Sequence, residues 1–258
     1  MSDVYTPPES DLIGSPGAGP GGTTGQGVYP AEVGTIISRA WVLIQPALVP
    51  AALGTLALFA IHMMVNVPLS LGAGVLQAGL ASVMGESAEG LVLAITIVVQ
   101  LGTSLIGQVT SALLMLGLAK GSHKLVTTGE IEVGDFLPLD VGLILRGFLA
   151  QLLMTFIAGI GFLLFIVPGV IMALGLILWP YAMVVEGLGV VDSMKRSWQL
   201  MDGAKLQLFL LGMAMGVISL FAVLLTCGVG FLAIMPFTYV AYALIYVGAA
   251  ENKPALTG

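Results

Sequence analysis

The chain has 258 residues, 58% of them hydrophobic and 9% charged, with a mean hydropathy of +1.06, which excludes a soluble globular domain. Lys+Arg 8 against Asp+Glu 14 leaves a net charge of −6, so the basic footprint of a nucleic-acid-binding protein is excluded as well. Cys227 is alone; it allows no intramolecular disulfide or cysteine-rich metal site, and its apolar setting reads as a small buried residue.

Residues 1–30 are rich in Pro, Gly, Ser and Thr and end in GSPGAGPGGTTGQG. Such a segment has too little apolar surface to fold and is expected to be a disordered, solvated tail. No basic region leads directly into an apolar core here, so a cleavable signal peptide is not expected. Within the tail, Tyr5, Pro7, Pro8 and Leu12 form a compact peptide that could serve a cytoplasmic protein partner as a polyproline-type ligand.

The segment Ala31–Ile44 carries Val33, Ile36, Ile37, Ala40, Trp41 and Ile44 at helical spacing, with Glu32 and Arg39 opposite; this predicts an interfacial helix with Trp41 at headgroup level. Pro46 then turns the chain into a first span, roughly 47–66. His62 and Asn66, one turn apart, mark its meeting with the far headgroups. The Gly-rich stretch 68–85, followed by Glu86 and Glu89, reads as an interfacial or re-entrant helix, being short for a crossing of about 20 residues. A second span covers 91–118, long enough to tilt. Its small and polar residues (Thr96, Gln100, Thr103, Ser104, Gly107, Gln108, Ser111) share a face suited to helix packing or, as the sharper alternative, to a water-lined path.

Residues 120–140 read as a polar loop. No charge occurs from Gly147 to Val185, which holds a third span (141–166) and a fourth (169–185), divided at Pro168-Gly169. Pro180 should kink the fourth, since it removes a backbone donor. Val190, Val191, Met194, Trp198 and Met201 then line the apolar face of a short surface helix, with Lys195, Arg196 and Gln199 facing away and Gly203 closing it. The fifth and sixth spans follow at 204–226 and 231–248, broken at Cys227–Gly230. Gly212 and Gly216 form a GxxxG on the fifth, and Tyr239, Tyr242 and Tyr246 share a face of the sixth, expected to pack in the bundle.

The expected fold is therefore all-α: a polytopic membrane protein with a cytoplasmic tail (1–30), a six-helix membrane domain with interfacial helices (31–250) and a short C-terminal tail (251–258). With six spans, Arg39, Lys120, Lys124, Arg146, Lys195, Arg196, Lys205 and Lys253 all fall on or at the edge of one side. The positive-inside rule places both termini in the cytoplasm of a bacterial inner membrane.

The VPG at 167–169, the run PYAMVVEGLGVVDSMKRSWQLMDGAKLQLF, and the Pro236–Tyr246 end resemble a widespread group of bacterial membrane proteins. That group is similar to the membrane domain attached to some glycerophosphodiester phosphodiesterases. The matching positions are Pro168-Gly169, Tyr181, Glu186, Lys195-Arg196-Ser197-Trp198, Gly203 and Pro236–Tyr246, and the likeness extends over about 31–250. It implies a six-helix membrane domain and no established activity. The phosphodiesterase catalytic domain has no counterpart in these residues.

Nor does catalytic chemistry emerge from the residues themselves. His62 and His123 are the only histidines, there is no HExxH or paired-carboxylate spacing and no phosphate-binding glycine motif, so no enzyme, metal or cofactor is expected. Glu186, closing the fourth span, is the carboxylate best placed to matter. It is expected to pair with Lys195, Arg196 or Arg146 and so to tie down the surface helix, although ionisable groups near membrane depth are functional candidates by default. Two functions follow. The first is a non-enzymatic adaptor or membrane-organisation factor acting through its cytoplasmic face, with lipid and a tail-bound protein as partners. The alternative is a transporter, channel or lipid-handling protein using the polar face of the second span, Gln100 and Gln108 on it, with Glu186.

Overall fold

A computed structural model describes residues 32–84, 88–138 and 140–253; the peptide at Tyr5–Leu12 and Glu86 lie outside them. Among the described residues there is no strand. Six helical segments are long and apolar enough to cross a membrane, the all-α multi-pass class expected. Their ends differ from expectation in ways that matter.

Helix α1 (Val33–Ile44) packs along the last helix through Ile36, Ala40 and Ile44, one residue per turn. Helix α2 (Leu48–Met84) runs 37 residues without a break, so the stretch 68–85 is neither re-entrant nor a separate interfacial helix. Pro68 sits inside it and removes one donor of a long ladder. In an apolar sequence, unwinding would expose several more backbone groups to lipid, so the helix continues. Helix α3 (Glu89–Thr128) runs back for 40 residues, well beyond the expected end at 118. Leu118, Ala119, Ser122, Leu125 and Val126 are buried at helical spacing, a periodicity that the polar residues between them disguise. Gly129, at φ 76, ends it, with its N–H on the Leu125 carbonyl at 2.9 Å.

What remains of the loop holds a 3-10 turn, Val133–Phe136, that drives the Phe136 ring between α2 and α3. A methyl group on Gly54 or Gly121 would collide with that ring, and one on Gly117 with the Phe136 carbonyl. Three glycines thus make the socket.

Helix α4 (Val141–Leu164) is N-capped by Asp140, whose carboxylate accepts from the Gly142 N–H at 2.8 Å. The hairpin breaks at Phe165, in extended conformation, and not at Pro168-Gly169. Those two residues lie in the first turn of α5 (Ile166–Leu176), where proline lacks only a donor the helix does not use and Gly169 lets the backbone approach Gly161 and Phe162. In place of a kink at Pro180 there is an interruption at Ile177–Leu178, after which α6 (Trp179–Val185) restarts with proline in its first turn.

Helix α7 (Val190–Leu200) crosses beneath, and α8 (Lys205–Leu225) and α9 (Phe231–Asn252) form the last hairpin. Cys227 is in the turn between them at φ 51 and is exposed, not buried as expected. Gly212 and Gly216 meet no side chain within 4 Å, so among the described residues the GxxxG packs on nothing. Since α3, α9, α4 and α8 end or begin together, Lys120, Lys124, Arg146, Lys205 and Lys253 gather at one end of the bundle with α7; we call it the basic end.

Candidate functional site

The polar chemistry concentrates at the basic end, where α3, α6, α7 and α9 meet. Glu186 caps α6, and Gly187, at φ 67, reverses the chain, so that α7 comes back under the helix it follows. Arg196 then reaches the carboxylate: its Nε donates to Glu186 Oε1 at 2.9 Å and Oε2 at 3.1 Å. The Tyr246 hydroxyl donates to Oε1 at 2.8 Å. Side-chain exposure is 3% for Arg196 and 20% for Glu186, so this is a pair largely removed from solvent.

Of the three cations expected as partners for Glu186, only Arg196 takes the role. Arg146 donates instead to the Gly187 carbonyl at 3.3 Å. Lys195 is exposed, 3.9 Å from Asp192. The expected face of α7 therefore needs correcting. Its buried side is Ser193, Met194, Arg196, Ser197 and Leu200, while Val191 and Trp198 are exposed. Arginine is inside because a carboxylate waits there, which a hydrophobicity pattern cannot register.

Around the pair, aromatic side chains are stacked. Tyr246 lies on Tyr181 with ring centroids 5.5 Å apart, and His123 meets Tyr246 edge-on at 6.0 Å. The Tyr181 hydroxyl donates to the Tyr239 carbonyl at 2.6 Å and sits 3.2 Å from Ser122 Oγ. The tyrosines of α9 thus pack in the bundle as expected, and Tyr246 bonds through its hydroxyl while Tyr239 receives Tyr181 at its carbonyl.

Ser197 solves a separate problem. The interruption between α5 and α6 leaves backbone groups without helical partners, and buried groups of that kind are costly. Ser197 Oγ donates to the Gly175 carbonyl at 2.9 Å and accepts the Leu178 N–H at 3.0 Å. At the other end of α7, Lys253 Nζ donates to the carbonyls of Gln199 at 3.0 Å and Asp202 at 2.6 Å, where a cation also suits the helix dipole. Lys205 stands 3.8 Å over the Trp198 ring. The Lys-Arg-Ser-Trp run is, in effect, an anchoring device whose two inner members, Arg196 and Ser197, are buried.

A second tie secures the Phe136 turn. Lys124 Nζ donates to both Asp135 oxygens at 2.8 Å, and the Glu132 N–H donates to Oδ2 at 2.8 Å. Burial pushes the Asp135 carboxyl up, but the hydrogen bonds from Lys124 and the Glu132 N–H outweigh it and hold the group below its ordinary 3.8.

The remaining candidates are elsewhere. His62 and Asn66 sit well inside α2 and not at its end; there Asn66 Nδ2 donates to Thr110 Oγ1 at 2.8 Å and His62 Nδ1 lies 2.9 Å from the same oxygen. They clasp α2 to α3. Gln100 is exposed on the outside of α3, and Gln108 is half-buried; neither is part of the basic-end cluster. Tyr5, Pro7, Pro8 and Leu12 lie outside the described residues. Sequence reasoning missed Ser197, Tyr246 as a partner of Glu186, and Phe136, whose signal was an aromatic residue in a polar loop opposite glycines 117 and 121, one turn apart.

Comparison with protein-family models, with curated proteins and with solved structures finds no match.

Proposed function

We propose that this is a non-enzymatic, multi-pass protein of the bacterial cytoplasmic membrane, both termini inside, that acts as an adaptor or membrane-organisation factor through its cytoplasmic face. The observation that carries the role is that the basic-end polar groups are spent on internal ties: the Glu186 carboxylate already receives two contacts from Arg196 and one from Tyr246. A reaction centre needs groups free to meet a substrate. A braced surface suits recognition instead. Next to it is a groove of about 350 Å3 lined by Pro46, Ala47, Pro50, Lys124, Ile131 and Glu132, among others, a size and mixture able to seat a short peptide.

The transport alternative relied on Gln100 and Gln108 lining one path, and the outward exposure of Gln100 gives it no support. The deciding experiment is crosslinking mass spectrometry on native membranes, comparing the full chain with one lacking residues 1–30. A protein partner captured by the full chain and lost with the tail supports the adaptor. Lipid adducts alone would sink it, and flux through proteoliposomes abolished by Gln108→Leu would replace it with the transporter.

A further inference from the structure

One wall of the groove at the basic end is a short extended segment with no strand beside it. After Gly129 ends α3, exposure alternates: Glu130 is exposed, Ile131 is 9% exposed and Glu132 is exposed again. That is the period of extended chain, and Glu132 has φ −119 and ψ 160. Ile131 belongs to the hydrophobic core. It also lines the groove, together with Pro46, Pro50, Glu130 and Glu132.

The backbone on either side of Ile131 is turned into the protein. The Glu130 N–H donates to Thr128 Oγ1 at 3.3 Å, and the Glu130 carbonyl accepts from the same hydroxyl at 3.0 Å. The Glu132 N–H donates to Asp135 Oδ2 at 2.8 Å, and the Glu132 carbonyl accepts the Asp135 N–H at 3.1 Å. Ile131 differs from both. Among the described residues neither its N–H nor its carbonyl has a hydrogen-bond partner. In extended chain the two groups of one residue point to the same edge, so Ile131 faces away from the edge that Glu130 and Glu132 use. An open donor and acceptor are costly in a residue with so little surface. They are also the pair that a strand residue offers to a neighbouring strand.

Charge then selects the occupant. The ammonium of Lys124, in the groove lining, is already held by both Asp135 oxygens at 2.8 Å. Glu130 and Glu132 form no ion pair among the described residues, so two exposed carboxylates flank the open backbone pair. We infer that this edge receives an extended basic segment of a partner protein. One partner residue exchanges N–H and C=O bonds with Ile131, and the residues before and after it set Lys or Arg side chains against Glu130 and Glu132. Opposite side chains share a face in paired strands, so the two-residue spacing of the glutamates dictates the spacing of the cations. Pro46, Ala47 and Pro50 supply apolar lining for the stems of such side chains. The chain's own residues 1–30 do not match this chemistry: they contain no Lys, Arg or His and carry Asp3, Glu9 and Asp11. A lipid headgroup matches it only in part, having no amide to pair with Ile131. The inference rests on the adaptor role proposed above and names the chemistry of the partner.

The test uses the full chain in phosphatidylcholine nanodiscs, where no anionic lipid competes for the probe. The probe is a fluorescein-labelled peptide of alternating Arg and Val. Its companions are an alternating Glu and Val peptide and the Arg–Val peptide N-methylated at its valines, which removes the pairing donors. The Arg–Val peptide is expected to bind at least tenfold more tightly than either companion and to slow amide exchange at Ile131 at least tenfold. Glu130→Gln combined with Glu132→Gln should weaken it at least tenfold with the thermal midpoint unchanged. Equal affinity for the parent and N-methylated peptides, or for wild type and the double variant, overturns the inference. Binding that appears only after residues 1–30 are removed overturns it too, by making the tail the occupant. So does displacement of the peptide by phosphatidylethanolamine in the nanodisc, which would give the groove to a lipid headgroup. The two readings fail separately: a tail-dependent partner found by crosslinking without peptide binding sinks only this edge, and peptide binding without such a partner sinks only the role of the tail.

Discussion

The basic end and the far half of the long α2–α3 hairpin, its prong, are built from opposite materials. At the basic end almost every polar group answers another: Glu186 with Arg196 and Tyr246, Ser197 with the broken α5–α6 backbone, Lys253 with the end of α7, Lys124 with Asp135. Among the described residues of the prong there are no such ties beyond the His62–Asn66–Thr110 clasp near its base, and Gly72 and Gly79 face open space. Buried polar groups specify one arrangement because every mismatch is costly. Uniform apolar helices specify little by themselves and acquire definition from what covers them.

Substitutions should divide along that line. Glu186→Ala removes the carboxylate from a guanidinium that is 3% exposed and is expected to cost about 3–5 kcal/mol, read as a large fall in the thermal midpoint in detergent. Arg196→Met in the same chain should restore much of it. An unchanged midpoint in the single variant would show that the pair is not a structural tie. Next, Gly121→Ala pushes a methyl into the Phe136 ring and should cost about 1–3 kcal/mol. Ser197→Ala leaves the Gly175 carbonyl and Leu178 N–H unpartnered; about 1–3 kcal/mol is expected, accompanied by faster amide exchange at Leu178.

Smaller effects follow from pH. Asp135 is held below its ordinary 3.8, so its contribution to stability is fully present above the unfolded value and is lost as pH falls through the lower folded value. The difference in midpoint between wild type and Asp135→Asn should stay constant from neutral pH to about 5 and shrink below about 4. The smallest effect is expected at the prong: Gly79→Ala, in detergent, should cause no loss and a gain of up to about 1 kcal/mol. A loss as large as that of Gly121→Ala would mean that the prong is packed within the single chain, erasing the contrast between the two regions.

Legibility in the sequence followed the same division. Spans three to six could be read to within a few residues, because long charge-free runs and Gly/Pro interruptions report directly on lipid burial. The first two could not. Pro68 and a Gly-rich composition suggested an interruption at 68–85, yet a break in apolar surroundings costs more than one lost donor, and α2 stays helical. At the other end, Lys120, His123, Lys124 and Thr127 masked the periodicity of α3. Glu186 was legible as a tie but its partner was not: Arg196 and Lys195 are adjacent, and only the docking angle of α7 decides which one faces the carboxylate.

By itself, then, the sequence determined the all-α membrane class and the crowding of cations at one end, since both depend on one-dimensional patterns of apolar and charged residues. Tertiary structure alone decided which arginine is buried, that a serine repairs a helix break, that Phe136 fills a three-glycine socket, and that one hairpin is longer than the others. Those outcomes depend on contacts between residues ten to more than eighty positions apart, where geometry and not local pattern sets which groups must satisfy one another.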